Sequence, residues 1–271
     1  MRVANAPATD IGWEIIAVRY GMAESSKGRL YHRFADYGDE DVPQNMDFFF
    51  YVLRRPDQIV LVDTGFDPAE AERRPGRRVL TPPARALELL AVDPAAVTDV
   101  IVTHIHWDHI GNLDLFPAAR LHVPEVELDF WSSPISRRSQ FADHTDLVAT
   151  DALLARHGEG RVEATGARSE PVPGITAVTV GGHAPGQQIL EVDGAGGPVA
   201  LASDAAHLYE ELELERPFGV LADLQKMYEA YEVLKGLEAA GATLVAGHDP
   251  EVTRRFPTLP GAAEGIGFRI A

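Results

Sequence analysis

The sequence predicts an α/β fold, with strands and helices that agree with a four-layer αββα sandwich. Short apolar runs recur along the chain, and segments with helical signals follow several of them in two similar halves. The chain has 271 residues, of which 45% are hydrophobic and 24% charged, and no low-complexity linker divides it. Residues 1–271 are therefore predicted to form one domain.

Seven apolar runs predict the strands. They are rich in β-branched or aromatic residues and are bounded by glycine, proline or aspartate. The first two flank a polar turn at 54–57, and the fifth and sixth flank the glycine-rich turn 193–197, so each pair predicts a hairpin. The predicted strands are residues 46–53, 58–62, 99–103, 175–180, 187–192, 198–202 and 243–247.

Three segments predict helices. Residues 83–90 and 94–97 begin with proline, which is favoured in the first turn of a helix, and Asp93 is a candidate cap for the second. The longest helix is predicted over 223–240, where apolar residues recur on one face and Gly241 follows the last turn. Its predicted core-facing residues are Leu224, Met227, Tyr228, Tyr231 and Leu234.

Four potential metal ligands lie within six positions, directly after the predicted strand 99–103. The segment reads Thr103-His104-Ile105-His106-Trp107-Asp108-His109. Imidazole and carboxylate are ligands that borderline divalent metals such as zinc prefer. Side chains two apart in an extended chain point the same way, so His104 and His106 are expected to converge on one ion. The following turn is expected to direct Asp108 and His109 to a second ion. Surface or helix-capping histidines are the alternative, but they do not account for this density.

The motif resembles that of the metallo-β-lactamase-fold hydrolases, whose signature continues with a distant His, Asp and His. Three residues match these positions, and each stands at the end of an apolar run. They are His183, Asp204 and His248. Active sites of layered α/β folds usually gather at such strand ends. The resemblance spans most of the chain.

The resemblance implies a pair of divalent metal ions. Zinc is expected, and iron, manganese or cobalt are the alternatives that similar ligands accept. Asp63 matches the family's strand-ending aspartate and is expected to orient a ligand imidazole, with a turn cap before Gly65 as the alternative. The implied ligands are His104, His106 and His183 for one ion, Asp108, His109 and His248 for the other, and Asp204 as a bridge.

The segment after Asp204 resembles the N-acyl-homoserine lactonase branch, the enzymes of quorum quenching. The resemblance implies hydrolysis of an N-acyl-homoserine lactone or a related small cyclic ester by a hydroxide that bridges the metals. Well-known members have a tyrosine three residues after the bridging aspartate, whereas this chain has His207 there and Tyr209 two residues later. We expect His207 or Tyr209 to donate to the developing oxyanion, with packing as their alternative role. Asp108 is expected to pass a proton to the leaving oxygen.

Three further predictions concern the surroundings of the site. The polar segment 132–145 is expected to be a mobile cover over the entrance or an inert surface insertion. Four arginines between positions 73 and 78 flank Pro75-Gly76 and are interpreted as a solvated loop. The expected apolar walls are Met22, Trp107, Trp131, Phe141 and Phe218, and the histidines expected to lie elsewhere, on the surface or in the core, are His32, His122 and His157.

Composition limits the partners. A net charge of −17 and a pI near 4.9 disfavour a nucleic-acid substrate. The absence of cysteine excludes disulfides and thiolate ligands and fits a cytoplasmic protein. No apolar stretch reaches membrane-spanning length, and residues 1–12 lack the pattern of a signal peptide. The expected partner is a small-molecule lactone, without nucleic acid or membrane, and the expected assembly is a monomer or a homodimer.

Three other functions remain open at this point. A thioester hydrolase of the glyoxalase II type shares the ligands and the His183-Ala184-Pro185-Gly186 segment, but it usually carries a C-terminal basic cluster, and residues 261–271 contain only Arg269. An iron-dependent dioxygenase relative has ligands of the same kind. A metal-stabilised binding protein without turnover is a remote alternative.

Overall fold

The computed structural model describes residues 12–271, which form two β-sheets packed face to face with helices on their outer sides. The α/β class and the αββα arrangement predicted from the sequence are confirmed. The prediction that residues 1–12 lack a signal peptide concerns the start of the chain, where residues 1–11 lie outside the described residues. No helix within 12–271 is long and apolar enough to cross a membrane.

Thirteen strands are present in the described part of the chain. The predicted hairpin at 46–62 is confirmed, although its strands extend further and leave only Pro56 and Asp57 as the turn. The strands are β1 (Glu14–Ala23), β2 (Met46–Arg55), β3 (Gln58–Val62), β4 (Arg77–Val79), β5 (Asp99–Ile101), β6 (Arg120–Pro124), β7 (Val162–Thr165), β8 (Arg168–Val172), β9 (Ile175–Thr179), β10 (Gln188–Gly194), β11 (Gly197–Leu201), β12 (Thr243–Val245) and β13 (Gly267–Arg269).

Most helices span only one or two turns, and the two longer ones span Leu147–Gly158 and Leu224–Ala239. In chain order they are α1 (Lys27–Leu30), α2 (Pro68–Arg73), α3 (Pro83–Leu89), α4 (Trp107–Ile110), α5 (Glu125–Trp131), α6 (Ser139–Ala142), α7 (Leu147–Gly158), α8 (Tyr209–Leu214), α9 (Leu224–Ala239) and α10 (Val252–Arg255). Single 3₁₀ turns cover Phe34–Tyr37, Pro94–Ala96, Leu113–Leu115, Pro134–Arg137, Ser203–Ala205 and Gly261–Ala263.

The two sheets differ in size and pairing. The eight-stranded sheet has the order β13-β1-β2-β3-β5-β6-β7, with β4 paired to one end of β1. Its strands β3, β5, β6 and β7 are parallel. The five-stranded sheet has the order β12-β11-β10-β9-β8, in which only β11 and β12 are parallel. The loops that follow the carboxyl ends of β5, β11 and β12 can therefore meet between the sheets.

Alternation along the strands separates two apolar cores. In β1, Ile15 and Ala17 belong to the core shared by the two sheets, whereas Ile16 and Val18 belong to the core beneath the helices of the larger sheet. Successive side chains of a strand point to opposite faces, so a strand apolar on both faces can serve both layers. This pattern explains why β1 and β2 read as continuous apolar runs.

Helix α9 covers the outer face of the smaller sheet. It begins after Asp223, whose side chain accepts a hydrogen bond from the Lys226 amide, as expected of an N-cap. Its buried residues are Met227, Ala230, Tyr231 and Leu234. The prediction that Leu224 and Tyr228 face the core is wrong, because each is 40% exposed. Leu224 lies in the first turn, and Tyr228 lies one position beyond Met227, about 100° around the helix.

Candidate metal centre

The predicted ligands meet where strands of both sheets end. The larger sheet supplies four of them: His104 and His106 in the loop after β5, and Asp108 and His109 in α4. The smaller sheet supplies the other three, which follow β9, β11 and β12. All seven side chains are buried, none more than 8% exposed. The second set is His183, Asp204 and His248.

Close backbone contacts fix the loop that carries the first four. The Thr64 amide donates to the His109 carbonyl over 2.8 Å, and the Gly111 amide donates to the Gly65 carbonyl over 2.9 Å. A Cβ added at Gly111 would lie 2.8 Å from that carbonyl oxygen and 2.9 Å from the Phe66 Cα. Glycine is therefore required at 111, because α4 packs directly on the backbone after β3.

The ligand atoms of His104, His106 and His183 lie within 4.8 Å of one another. The Nε2 of His183 is 2.9 Å from the Nδ1 of His106, and the Nδ1 of His183 is 2.9 Å from the Val220 carbonyl oxygen. Because a carbonyl only accepts, the Nδ1 of His183 carries the proton and its Nε2 presents a lone pair to the group.

A second group contains Asp108, His109 and His248, whose ligand atoms also lie within 4.8 Å of one another. The Nε2 of His109 is 3.6 Å from Oδ1 of Asp108, and the Nε2 of His248 is 3.8 Å from Oδ2. These distances are too long for hydrogen bonds. They leave room for an atom between the three side chains.

Asp204 lies between the two groups and offers one oxygen to each. Its Oδ2 is 3.3 Å from the Nε2 of His183 and 3.9 Å from that of His104. Its Oδ1 is 3.3 Å from the Nε2 of His109 and 3.1 Å from that of His248. The two groups and the position between them are those that the family resemblance implied.

Oxygen atoms outside the centre orient two further imidazoles. The Oδ2 of Asp63 is 2.7 Å from the Nδ1 of His109, and the Asp47 carbonyl oxygen is 2.9 Å from the Nδ1 of His248. Asp63 itself accepts hydrogen bonds from the amide and the hydroxyl of Thr103, both over 2.8 Å. Asp63 therefore contacts a ligand imidazole as expected, and both histidines present Nε2 inward.

Burial and charge keep most of this cluster in the protonation states that metals require. Burial, reinforced by neighbouring imidazoles, holds the pKa of His104, His106 and His183 well below the usual value. Burial opposes ionisation of Asp204, yet the surrounding histidines hold its pKa well below the usual range. Burial would also lower the pKa of His109, but three aspartates raise it well above its usual value. Neutral imidazoles beside an ionised carboxylate are ready to bind a cation.

The residues fit a pair of divalent metal ions. Within residues 12–271, the buried Nε2 atoms of His104 and His109 have no hydrogen-bond partner, although both point towards Asp204. A buried polar atom without a partner is costly, and a cation held in each of the two ligand groups would satisfy the nitrogen of that group. The donor set of imidazoles and carboxylates without sulfur suits zinc, iron, manganese or cobalt.

The centre lies at the base of a cavity of about 540 Å³. Of the predicted apolar walls, Trp107 and Phe218 line the cavity, together with Phe48. The other three predicted wall residues, Met22, Trp131 and Phe141, do not line the cavity. Trp131 is buried and donates its indole N–H to Glu127, and Phe141 packs on Phe130.

His207 lies in the cavity beside Asp204. Its Nε2 is 3.1 Å from Oδ2 of Asp204, its Nδ1 is 3.4 Å from Oε1 of Glu211, and its ring stacks on Phe218 with 3.7 Å between centroids. Burial would lower the pKa of His207, but Asp204 and Glu211 raise it to about 9. His207 thus faces the centre, where the resemblance placed a substrate contact.

The prediction that Tyr209 supplies a hydroxyl to the centre is wrong. Its hydroxyl donates to the Leu244 carbonyl oxygen over 3.2 Å, and the Arg255 guanidinium lies 3.5 Å from its ring centroid. Tyr209 belongs to the apolar core that includes the smaller sheet and does not line the cavity with His207. Helix α8 begins at Tyr209, so its backbone turns away from the centre at that residue.

Two residues near the centre were missed by sequence reasoning. His144 lines the cavity, with its ring centroid 5.8 Å from that of His106. Glu127 is fully buried and joins the two ligand loops, because its carboxylate accepts from the amides of Ile105 (2.8 Å) and Gly186 (2.7 Å). Neither residue belongs to the ligand motif, and no spacing signal marks them.

The segment 132–145 is folded against the cavity. It contains the 3₁₀ turn Pro134–Arg137 and helix α6, and its last residues include Asp143 and His144, which line the cavity. Arg74 donates to the carbonyl oxygens of Asp143 (2.8 Å) and Thr145 (3.1 Å). The segment therefore forms part of the cavity wall, so its interpretation as an inert insertion is wrong.

A family model described as "Metallo-beta-lactamase superfamily" matches residues 49–248, which contain all seven ligand candidates. The chain belongs to the metallo-beta-lactamase superfamily. The resemblance drawn from the ligand motif is thus confirmed at the level of the superfamily. The strands that precede the ligand candidates also fall within the matched residues.

The chain is similar to several curated relatives, and it spans about two thirds of the length of the first of them. It is 28% identical over 192 residues to the N-acyl homoserine lactonase AttM of Azorhizobium caulinodans, covering 65% of this chain and 66% of the relative. It is 28% identical over 220 residues to a probable metallo-hydrolase of Mycobacterium tuberculosis, covering 74% and 71%. It is 26% identical over 226 residues to an N-acyl homoserine lactonase of a Bacillus species, covering 78% and 84%.

Solved structures of low sequence identity share the fold. One is a mutant of the Bacillus thuringiensis protein AiiA with N-decanoyl-L-homoserine at its active site, with a TM-score of 0.72, 19% identity, and 92% and 98% of the two chains covered. Another is AidC, described as a dizinc quorum-quenching lactonase in complex with a product, with a TM-score of 0.68, 16% identity, and 95% and 94% covered.

Proposed function

We propose that this protein is a metal-dependent hydrolase that opens a lactone ring, either of an N-acyl-homoserine lactone or of a related small cyclic ester. The observation that carries the proposal is the placement of the Asp204 carboxylate between two ligand groups at the base of an open cavity. The lactonase names of several relatives support it.

The proposed cofactor is a pair of zinc ions. The donor set supports zinc, and so does the printed description of AidC as a dizinc lactonase. When bound, ions of this kind polarise an ester carbonyl and lower the pKa of water enough to supply a nucleophile at neutral pH. The proposed ligands are His104, His106 and His183 for one ion, Asp108, His109 and His248 for the other, and Asp204 for both.

The chain's own residues would bind the substrate and move a proton. Phe48, Trp107 and Phe218 form an apolar wall that can hold an acyl or ring group and exclude water. His207 can donate from Nε2 to the developing oxyanion of the ester carbonyl. A carboxylate oxygen of Asp108, which also lines the cavity, can carry a proton to the leaving oxygen. A ring suits this site because its leaving oxygen stays tethered to the acyl group.

We also propose that the protein acts in the cytoplasm, as one domain and as a monomer or homodimer, without nucleic acid or membrane as partner. The lack of cysteine supports the location. The acidic net charge of −17 argues against a nucleic-acid substrate.

The test is proton release on adding acyl-homoserine lactones of short and long chain, γ- and δ-lactones, and a thioester, to protein of assayed metal content. Turnover of lactones is expected, with loss of activity in His106→Ala and Asp108→Asn. His157→Ala is the matched control, because His157 is exposed and does not line the cavity. Turnover of the thioester alone would favour a thioester hydrolase, and two bound metals without any turnover would contradict the proposal.

A further inference from the structure

Arginines surround the mouth of the cavity although the chain as a whole is acidic. Four guanidinium groups line the cavity, whereas the net charge of the protein is −17. Four carboxylate side chains line the same cavity, so what these arginines offer to a ligand depends on which of them are already paired. The four arginines are Arg29, Arg73, Arg74 and Arg77.

Two of these arginines are already paired and build the wall. Arg73 forms ion pairs with Glu70 and Asp146. Arg74 pairs with the same Glu70, and its guanidinium lies 4.6 Å from the ring centroid of Trp107. These contacts fix the segment 73–78 against the cavity. The segment is therefore not an irregular loop, because it contains the end of α2 and strand β4, which pairs with β1. Its arginines are largely exposed to solvent, as the interpretation expected, with Arg73 and Arg78 61% and 60% exposed.

Arg77 is held differently. Strand β4 pairs Arg77 with Ala23 of β1, so the two side chains lie on the same face of the sheet, and both line the cavity. The guanidinium donates to the Pro75 carbonyl oxygen over 3.0 Å, and it forms no ion pair within residues 12–271. Arg77 is exposed, and a guanidinium group without an ion-pair partner can form charge-assisted hydrogen bonds with a bound anion.

Arg29 is a second cation at the same mouth. It is exposed at the end of α1 and has no ion pair among the described residues. Apart from the ligand candidates Asp108 and Asp204, the acidic side chains that line the cavity are Glu24 and Asp143. Glu24 is already paired with Arg78, at 3.1 Å. The mouth therefore keeps two guanidinium groups available for a ligand.

We infer that the substrate carries an oxyanion, a carboxylate or a phosphate, on the part remote from its ester, and that Arg77 binds it together with Arg29. The inference rests on the proposed lactone hydrolysis and narrows its substrate class. Guanidinium groups match the planar fork of carboxylates and phosphates. A neutral acyl-homoserine lactone would leave both arginines without a partner.

The test compares three matched lactones whose acyl chains end in a carboxylate, a phosphate or a methyl ester. The wild-type protein is expected to prefer an anionic chain to the methyl ester by about tenfold in kcat/KM. In Arg77→Gln, the preference is expected to fall to about twofold, through a higher KM for the anionic substrate. Arg85→Gln is the matched control, since Arg85 is exposed and does not line the cavity. The carboxylate and phosphate arms identify the preferred oxyanion.

A binding measurement separates this inference from the proposed reaction. Calorimetry of the ring-opened forms of the same compounds, with metal-loaded protein, is expected to give the same Arg77-dependent preference even if no lactone is hydrolysed. An Arg77-dependent binding preference without any turnover would contradict the hydrolase proposal but would still support the oxyanion site. Each ring-opened form carries the carboxylate released from the lactone, so the comparison is between acyl chains that end in a charged group and the chain that ends in the methyl ester. Equal affinity or equal kcat/KM for these two kinds of chain would overturn the oxyanion site, as would a preference unchanged in Arg77→Gln.

Discussion

At the residue scale, an oxygen atom lies beside the outer nitrogen, Nδ1, of three imidazoles. His183 donates to the Val220 carbonyl, His248 to the Asp47 carbonyl, and His109 contacts the Asp63 carboxylate. Each contact fixes the ring and directs the other nitrogen inward. Such preorganisation reduces the entropy lost when a metal binds.

Asp63→Asn tests this positioning role. Asp63 has φ = 60°, a left-handed conformation that asparagine tolerates, so the substitution removes the charge with little backbone strain. We expect metal affinity to fall about 10- to 100-fold, because His109 loses the carboxylate that orients it. Competition with a chromophoric chelator measures this, and Asp114→Asn at an exposed position is the control. Unchanged affinity would show that Asp63 is only a turn residue.

His207 is best tested by two variants that separate donation from packing. His207→Phe keeps a ring to stack on Phe218 but removes the donor, and His207→Gln keeps a donor without the ring. With an oxyanion role, the Phe variant loses about 100-fold in kcat at unchanged metal content, and the Gln variant loses less. A fall in bound metal in both variants would instead make His207 a ligand.

The ligand residues could be predicted from sequence because the metal requires particular side chains at strand ends. His104, His106, Asp108 and His109 follow a strand so closely that their meeting is a local consequence of the chain. Tyr209 could not be placed in the same way, since its direction depends on where α8 begins and on its bond to Leu244, which is distant in sequence. His144 approaches His106 only through the fold.

At the scale of elements, the loop before His183 is fastened to the start of α9. The Gly182 carbonyl accepts from the amides of Ala222 (2.8 Å) and Asp223 (2.9 Å). Gly182 has φ = 94°, and a Cβ there would lie 2.9 Å from the Met227 backbone nitrogen. Helix α9, which covers the smaller sheet, therefore helps to position the ligand candidate His183.

Gly182→Ala is expected to disturb the fold and the centre together. The new methyl group meets backbone atoms and adopts an unfavourable φ, so we expect a loss of about 2 kcal/mol or more in the free energy of unfolding and weaker metal binding. Gly236→Ala, inside α9 and without neighbours within 4 Å, should gain about 0.5–1 kcal/mol. Chemical denaturation of both variants measures the difference. Equal stability of the two would refute the close contact.

A buried carboxylate links β5 to β6. Asp99 accepts from His122 and Arg120, each over 2.9 Å, and from Gln58 over 3.1 Å. Burial would raise the pKa of Asp99, but these hydrogen bonds and one from Thr98 hold it well below its usual value. His122 is therefore part of the core, one of the two roles expected from sequence.

This network predicts a pH dependence of stability. Because the pKa of Asp99 is lower in the folded than in the unfolded state, its contribution is present above the unfolded value and declines as pH falls towards the folded one. In metal-free protein, Asp99→Asn should cost about 2 kcal/mol at pH 7, and its difference from wild type should shrink below about pH 4. Urea denaturation at several pH values measures this. A difference that stays constant with pH would contradict it.

Element types were easier to predict than element ends. The hairpin 46–62 and helix α9 follow from apolar periodicity and turn residues, which are local properties. Strand β4 has no such signal, because Arg77–Val79 is short and largely polar, and it forms only through pairing with β1. The role of the arginines at the cavity mouth depends on that pairing, so it was not predictable from composition.

At the scale of the whole molecule, the centre joins the two sheets. Four ligand candidates follow a strand of the larger sheet and three follow strands of the smaller one, and Asp204 contacts histidines from both. One strand end of the larger sheet, that of β5, and three of the smaller sheet, those of β9, β11 and β12, converge only when the sheets pack face to face. The αββα arrangement is thus what assembles the site, and bound metal should in turn stabilise the packing of the sheets.

The most direct test of metal-dependent lactone hydrolysis is a zinc titration of metal-free protein, with proton release from a γ-lactone and from a short-chain acyl-homoserine lactone followed at each step. We expect turnover to rise with bound zinc and to reach its plateau at two ions per chain, the number that the two ligand groups bridged by Asp204 would hold. Two tightly bound ions without turnover of any lactone, or turnover that is independent of metal, would contradict the proposed function.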